Sequence, residues 1–573
     1  MAVIGIDLGT STSEIAVYKD GKVIVIPNDK GNRITPSYVG ISTDGEMIFG
    51  EDAKSQYIGR PQDTVREFKR LMGTDESVKL GGREYRPEEV SALLLGYLKR
   101  CAEEYLNETI EEAVITVPAN FDDNQRQATM LAAKIAGLKC ERIINEPTAA
   151  AMAFGIRNMD KDMRVLVYDF GGGTLDVTVL KMFEGILDVE TSYGDTKLGG
   201  KDFDEKMMNI ITRKVYEKNG VNLDRNNLIV LSKLKEAAER AKIDLSFVNE
   251  TTVTLENIVL NGKLVNTQIN ITRREFEDEV MDLVEKSGVV IDKALKDKGL
   301  TYEDIDFVLM VGGTTRIPVV RNYVKNKLNK NIRTEINPDE AVCMGAAIQA
   351  AIKAGVISEE NSLVITDVCP FNLGTSCVTE VNGMEVAGIL STIIERNSTV
   401  PITRSQIYKT AIDYQTEMNI DIYQTLDNNC IWAKDATLIG QFMLDNIPAR
   451  PKGEEAIKIE YSYDINGNIK AVAEVLSTGH RRQIEIKRAI NMQDVVQNEV
   501  AAVLDNYKEC NLYKKYKMTI EGAEKRLNTL GESEIKKELM RLLNELKQYI
   551  IQDDEDMANE IEGEIIDLLF DID

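Results

Sequence analysis

One pattern occurs twice in this chain. Residues 3–18 read VIGIDLGTSTSEIAVY and residues 165–180 read VLVYDFGGGTLDVTVL. Each is an apolar run ending in Asp, a Gly-rich turn, then a second run of alternating apolar residues. β-Branched runs of period two around a Gly-rich break predict a β-hairpin. Aligning the copies sets Asp7 on Asp169 and Gly9 on Gly171. A single Asp-x-Gly turn is an ordinary tight hairpin. Two in register predict two related lobes that face each other across a cleft.

The surrounding sequence supplies the layers such lobes need. Over the first 355 or so residues, short β-branched runs alternate with amphipathic stretches, an α/β signature. Pro87-Glu88-Glu89 predicts a helix start, because proline and acids suit the first turn. Val90, Leu93, Leu94, Tyr97, Leu98 and Cys101 follow at helical spacing. A polar-then-apolar stretch at 356–368 reads as a linker, with Leu363-Val364-Ile365 a docking strip outside both neighbours or a buried strand of one. From 369 the period changes to two. Met418, Ile420 and Ile422 alternate with polar residues, and Asn466-Gly467 separates two alternating runs as a hairpin turn. From 490 helical spacing returns in Ile535, Leu539, Leu542, Leu546 and Ile550, then in Ile561, Ile565 and Leu568 after an acidic break. The expected domains are 1–357, 358–368 as linker, 369–488 and 489–573: α/β, then antiparallel β, then α.

Composition narrows the chemistry. A formal net charge of −25 disfavours a nucleic-acid partner, whose phosphates attract clustered Lys and Arg. No apolar run is long enough to span a bilayer, and the N-terminus lacks the basic and apolar regions of a secretory signal, so a cytoplasmic protein with no membrane partner is expected. Seven scattered cysteines without a CxxC pair fit reduced thiols. The single histidine, His480, excludes a multi-histidine metal site and disfavours histidine-based catalysis. Chemistry is left to carboxylates, lysine, threonine, backbone amides and a metal held through oxygen.

The two turns suit phosphate. Glycine lets backbone N–H groups approach phosphate oxygens, and hydroxyl residues stand beside them in Leu8-Gly9-Thr10-Ser11-Thr12 and in Gly171-Gly172-Gly173-Thr174. Asp7 and Asp169 at the strand ends would hold a hydrated Mg²⁺ between them. A third element, FVLMVGGTTRIP at 307–318, predicts a buried strand ending in Gly312-Gly313 with Arg316 close behind.

The segments IGIDLGT, AVITVPANF, RIINEPTAAAMAFG, YDFGGGTLDVTVL, LGGKDFD, VGGTTRIP and INPDEAV resemble, in order, the signatures of the DnaK-type heat shock protein 70 family. TDVCPFNLG, IIERNSTVP and DINGNI extend the likeness, and ITDVCPF and IIERN most resemble the HscC-type branch. The resemblance implies an actin-like (ribonuclease H-like, duplicated) α/β ATPase domain, an antiparallel β-sandwich that binds peptide, and a short α-helical lid. It implies ATP or ADP and Mg²⁺ as cofactors, with K⁺ as an optional addition.

By motif matching, Asp7, Gly9, Thr10, Ser11, Asp169, Gly171, Gly172, Thr174 and Asp176 line the phosphate and metal site. Lys69 in FKRLMG is matched to the terminal phosphate and attacking water, Glu146 to the metal shell, and Thr196 to the phosphates. Adenosine is expected among Gly200, Glu239, Lys242, Ser246, Gly313, Arg316 and Asp339. Asp169, Asp176 or Glu146 orients the water; which one accepts the proton is left open. Lys69 beside Arg70 also fits a solvated helix face, and Glu146 before Pro147 a helix entry.

The same matching puts Val378, Tyr408, Ala411, Met418 and Ile420 around a channel for an extended apolar peptide; otherwise Tyr408, Met418 and Ile420 are core. Arg142, Asn145 and Asp367, with the linker, match positions that receive a J-domain cochaperone. Asn120, Lys201 and Thr375 depart from the family's aromatic, acid and larger apolar residue, and the segment near 74–85 is short, which leaves the need for an exchange factor open. A sugar kinase or a filament-forming ATPase would use the same two turns, but neither needs residues 369–573.

Overall fold

The structure is a computed structural model that describes all residues except 1, 157, 160, 221, 261–262, 334–335, 359–362, 382–383, 487–511, 528–533, 552–554 and 573. Two compact units result, Met1–Ile490 and Asn491–Asp573. The first contains the predicted duplication. Val3–Leu8 and Thr12–Lys19 form one antiparallel hairpin, in which Asp7 faces Glu14; Met163–Phe170 and Leu175–Phe183 form the other, in which Asp169 faces Asp176. Each hairpin continues into a third antiparallel strand, Lys22–Ile26 or Ile186–Asp195. On its other side each first strand takes two parallel neighbours: Glu112–Val117 then Lys139–Asn145, and Phe307–Val311 then Asn331–Arg333. The two sheets share one strand order and one set of directions, so the sequence echo is a repeat of whole lobes.

A helix follows the last parallel strand of each lobe, Glu146–Gly155 in one and Ala341–Lys353 in the other. Their packing surfaces are made of small residues, with Ala149, Ala150, Ala346, Ala347 and Ala350 fully buried. A Cβ on Gly345 would overlap the Ala149 carbonyl, and one on Gly5 would overlap the Ala347 amide. Glycine is required at these two points by backbone approach. The helix Pro87–Leu106 begins where proline and two acids predict, and all six spaced residues from Val90 to Cys101 are buried.

The linker strip differs from its reading as a segment outside both neighbours. Val364–Val368 is a strand, pairing in parallel with Ile186–Asp195 through Ile186–Val364, Leu187–Ile365 and Asp188–Thr366. Its far edge takes Thr399–Val400, so one seven-stranded sheet runs from the parallel strands of the second lobe into the β region. The physical reason is the open edge of Ile186–Asp195, whose unpaired N–H and C=O groups need partners. Leu363 adds apolar burial against the core that contains Phe154 and Leu187.

Beyond the linker, two four-stranded antiparallel sheets share a core. Ile420, Ile422, Ile457, Ile459, Tyr461, Ala471 and Val475 all point into it, as the alternation predicts. The Asn466-Gly467 turn is longer than a two-residue hairpin, because the register pairs Tyr463 with Ile469 and leaves residues 464–468 as the loop. Asp464 holds that loop by accepting the N–H groups of Asn466 and Asn468, each at 2.8 Å. The second unit has the helices Tyr513–Leu527, Glu534–Ile551 and Glu555–Ile572 around its own core of Leu539, Leu542, Leu546, Ile550, Ile561 and Ile565. Ile535, read with that set, is exposed.

Candidate functional site

The two hairpin loops meet across the cleft. Residues 9–12 of the first and 171–174 of the second line one cavity with Asp7, Lys69, Glu146, Asp169, Gly312, Gly313 and Asp339. Their approach is close: a Cβ on Gly172 would overlap the Ser11 hydroxyl, and one on Gly173 would stand 2.6 Å from the Thr10 hydroxyl. Gly312 has φ +80° and lies against the Phe170 carbonyl, so no other residue fits that turn. Thr314 then donates its hydroxyl to the Gly171 carbonyl at 2.8 Å, which ties the third loop to the second.

Lys69 and the carboxylates of Asp7, Glu146 and Asp169 make the floor, with a further carboxylate, Asp176, behind it. Lys69 Nζ donates to Glu146 Oε1 at 2.6 Å. Lys69 is on a short 3₁₀ turn, Phe68–Leu71, and is buried, so the solvated-face reading is wrong. Glu146 is both a helix-entry residue and a member of the site, because the first turn after Asn145 aims it at Lys69. Asp7 Oδ1 accepts the Thr116 hydroxyl at 2.7 Å, and Asp176 Oδ1 accepts the Asn120 amide at 2.7 Å. Asp169 Oδ2 is buried with no hydrogen-bond partner. Burial, then the charge of Glu146, pushes Asp7 up to about 6. Burial, outweighing the Asn120 bond, pushes Asp176 up to about 7, and burial followed by Glu146 and Asp176 pushes Asp169 well up.

The residues matched to adenosine divide into two sets. Gly313 and Asp339 line the cavity, and Arg316 donates to Asp339 Oδ2 at 2.5 Å from behind it. Gly200 donates its N–H to the Gly171 carbonyl at 3.0 Å, and Lys242 Nζ donates to the Gly200 carbonyl at 3.2 Å. Glu239 and Ser246 are on the same helix as Lys242, Leu228–Phe247. Glu239 accepts Lys54 of the first lobe at 3.2 Å, and Ser246 donates to the Lys242 carbonyl at 3.1 Å. Thr196 follows the strand Ile186–Asp195 and is not among the cavity-lining residues. Thr12 and Gly173, read as members of the two phosphate turns but not matched individually, line the cavity, and Thr116 and Arg70 act one step behind it. Adjacency was the available signal for Arg70, which follows Lys69 directly. Thr116 gives none, since its bond to Asp7 spans 109 residues of sequence.

The Hsp70 protein family model matches residues 3–570. The chain belongs to the Hsp70 family. Hsp70 proteins are ATP-dependent chaperones and ATPases that use ATP or ADP with Mg²⁺ and bind client peptides and cochaperones. The site of this Hsp70 chain fits the cation: the buried carboxylates outnumber the one lysine, and the unpartnered Asp169 Oδ2 is an oxygen donor aimed at no protein group. Asp7 and Asp169 are the residues that would hold it, through water as Mg²⁺ prefers.

This charge excess has a pH consequence. Unfolded carboxylates ionise near pH 4, whereas Asp7 and Asp176 keep their protons to about 6 and about 7 when folded. Across that interval the folded Hsp70 chain binds more protons, so its stability falls as pH rises and levels off above it. A thermal scan without metal should give a lower Tm at about pH 8 than at about pH 5, from this site's contribution. Mg²⁺ with ADP should restore more of the Tm at the higher pH.

In the β region of this Hsp70 chain, Ile420 is inside the core, with Met418 and Tyr408 packed against it. Ile420 is therefore core, as the alternative reading has it, and does not line a channel. Val378 is exposed, and the Ala411 N–H donates to Gln415 Oε1 at 2.9 Å in a loop that also exposes Ile412 and Tyr414. Thr375 is buried beside Tyr461, whose hydroxyl donates to the Gly374 carbonyl at 3.2 Å. Arg142, Asn145 and Asp367 come together at the seam between the lobes and the β region. Arg142 Nη1 donates to the Ile465 carbonyl at 2.5 Å, and Asn145 Nδ2 donates to Asp367 Oδ2 at 2.8 Å.

Proposed function

We propose that the chain binds and releases extended apolar peptide segments in its β region, coupled allosterically to ATP hydrolysis in the two-lobed cleft. One observation carries this reading: the sheet that contains the Asp169 hairpin continues through Val364–Val368 to Thr399–Val400 of the β region. A change at the second phosphate loop therefore reaches the peptide domain through contiguous strands. If the docked arrangement binds ATP better, ATP and peptide must influence each other reciprocally. In this scheme 1–357 is the ATPase domain, 358–368 the linker, 369–488 the peptide sandwich and 489–573 the lid.

Within the cleft the backbone amides of residues 9–12 and 171–174 grip the phosphates. Lys69 neutralises charge that develops on the terminal phosphate, and Glu146 holds its ammonium in place. Mg²⁺, when bound, supplies charge neutralisation at the phosphate oxygens. Of the three candidate acids, Glu146 and Asp169 line the cavity and can reach a water there, whereas Asp176 lies behind it, fixed by Asn120 and pushed up to about 7, where it can support them near neutral pH. Arg142, Asn145, Asp367 and the linker strand form the face on which a J-domain partner would act, because a contact there competes with docking. The affinity to the HscC-type branch and a cytoplasmic location belong to the same reading, the latter supported by six free thiols among the described residues.

The test is dissociation of a labelled apolar peptide from the full chain with ATP or ADP. ATP should speed release about tenfold or more, which needs only about 1.4 kcal/mol of differential binding. Peptide binding that ignores nucleotide would sink the coupling. Failure to bind any peptide of a broad apolar set would favour a different ATPase.

A further inference from the structure

The turn that presents Lys69 is attached on both flanks to the opposite lobe. Before it stands Glu67, at φ +66°, a conformation that side chains other than glycine rarely adopt. Such backbone persists where its surroundings hold it. Two cations hold Glu67: Arg66 Nη2 is 2.6 Å from its Oε1, and Lys201 Nζ is 3.0 Å from its Oε2. Arg66 lies over the Tyr38 and Tyr57 rings of the first lobe, at 5.2 and 5.5 Å from their centroids. Lys201 belongs to the first turn of Gly200–Asn219 in the second lobe, and its N–H donates to the Gly172 carbonyl at 3.0 Å. On the other flank, Arg70 Nη2 donates to the Gly173 carbonyl at 2.8 Å and to Asp202 Oδ2 at 3.0 Å.

Both attachments end on the second Gly-rich loop or on the helix Gly200–Asn219, whose first turn is bonded to that loop. We propose that Glu67 and Lys201 are positioning residues, a cross-lobe clamp that fixes the Lys69 turn against the second phosphate loop. The clamp rests on the proposed ATPase reading. The acid that the family resemblance leads one to expect at 201 would face Glu67 and repel it, whereas Lys201 attracts it. The Lys201 side chain is 8% exposed, and burial brings its ammonium down to about 7 against the pull of Glu67, so its charge depends on that partner. Burial raises Glu67, but Arg66 and then Lys201 outweigh it and bring it to about 2, so Glu67 supplies that partner as an anion.

The full chain with Lys201→Met, Lys201→Arg, Glu67→Gln and the double Glu67→Gln/Lys201→Met tests this by two readouts. The first is single-turnover ATP hydrolysis beside Mg-ATP affinity. Lys201→Met should hydrolyse about tenfold slower with affinity within about threefold, and Lys201→Arg should recover to within about twofold. The double variant should be no slower than the worse single, as expected of one interaction removed twice. The second readout is amide hydrogen exchange of residues 66–72 without nucleotide, which should quicken in Lys201→Met and not in Lys201→Arg. Wild-type rate and exchange in Lys201→Met, or losses that add in the double, overturn the clamp. If the unaltered chain hydrolyses no ATP, the ATPase reading fails, and the exchange contrast alone decides the clamp. If Lys201→Met does not fold, Glu67→Gln carries the same two comparisons.

Discussion

Lys69→Ala should cut ATP hydrolysis by about 10²–10³ while nucleotide still binds, the loss expected when one fixed charge is removed from a developing anion. The reason is in the floor of the cleft. Among the described residues Lys69 is the sole cation lining the cavity, which Asp7, Glu146, Asp169 and Asp339 also line. Its ammonium is held 2.6 Å from Glu146 and lies 5.6 Å from the centre of the Phe121 ring, so it is placed before any nucleotide arrives. Removing it leaves Glu146 without its partner and adds repulsion to the site. Binding depends mainly on backbone amides of the two loops, which the substitution does not touch. Single-turnover hydrolysis with radiolabelled ATP, beside a binding titration, separates the two. Equal losses in both would mean that Lys69 serves binding alone.

Arg396→Ala should abolish the ATP-accelerated release of peptide while leaving peptide affinity in ADP and ATP binding largely intact. Arg396 belongs to the β region, yet its guanidinium ends on the second lobe. It donates to Asp297 Oδ2 at 2.7 Å and to the Ser192 carbonyl, and it lies 4.3 Å from the centre of the Tyr193 ring. Its Nε holds the Pro370 carbonyl at 3.1 Å, and its side chain is 1% exposed. Next to it, Asn397 Nδ2 donates to Thr191 Oγ1 at 3.2 Å. Breaking a buried pair of this kind costs about 3–5 kcal/mol. That is roughly a 10²–10⁴ shift against the docked arrangement. Stopped-flow peptide release with and without ATP reads the outcome directly. If Arg396→Ala released peptide as fast with ATP as the unaltered chain, the seam would not carry the coupling.

What could be read in the sequence was what depends on near neighbours. The hairpins around Asp7 and Asp169 were legible because alternation, Asp and glycine act within a few residues of one another. So were the helix at Pro87 and the alternation of Ile457 to Tyr463. Pairings across the sequence were not. Nothing near Lys69 shows that it will meet Glu146; only the resemblance placed it in the cleft. Asn120 was noticed as a departure, but its bond to Asp176 connects separate lobes and has no local signature. The linker shows the same limit: Val364 and Ile365 read equally as a free strip or a strand, and the open edge of Ile186–Asp195 decides between them. The Asn466-Gly467 hairpin is legible as a turn, but its five-residue length is not, because that follows the partner strand's register. Those extra residues let Asn466 and Asn468 reach Glu141 and Gln127 of the first lobe.

The crossing of Glu146–Gly155 with Ala341–Lys353 has a mechanical meaning. Helices that interlock large side chains are held at fixed angles by ridges seated in grooves. Here glycine and alanine bring the backbones together, and no long side chain at Gly345 or Ala149 has to climb out of a groove when one helix turns on the other. The crossing is made by backbone against backbone at Gly345 and Ala149. Glu146 is at one end of it, beside Lys69, and Gly155 at the other, beside Leu363 of the linker strand. A few degrees of rotation would therefore displace the Glu146 carboxylate in the cleft and the strand that leads to the β region in a single motion.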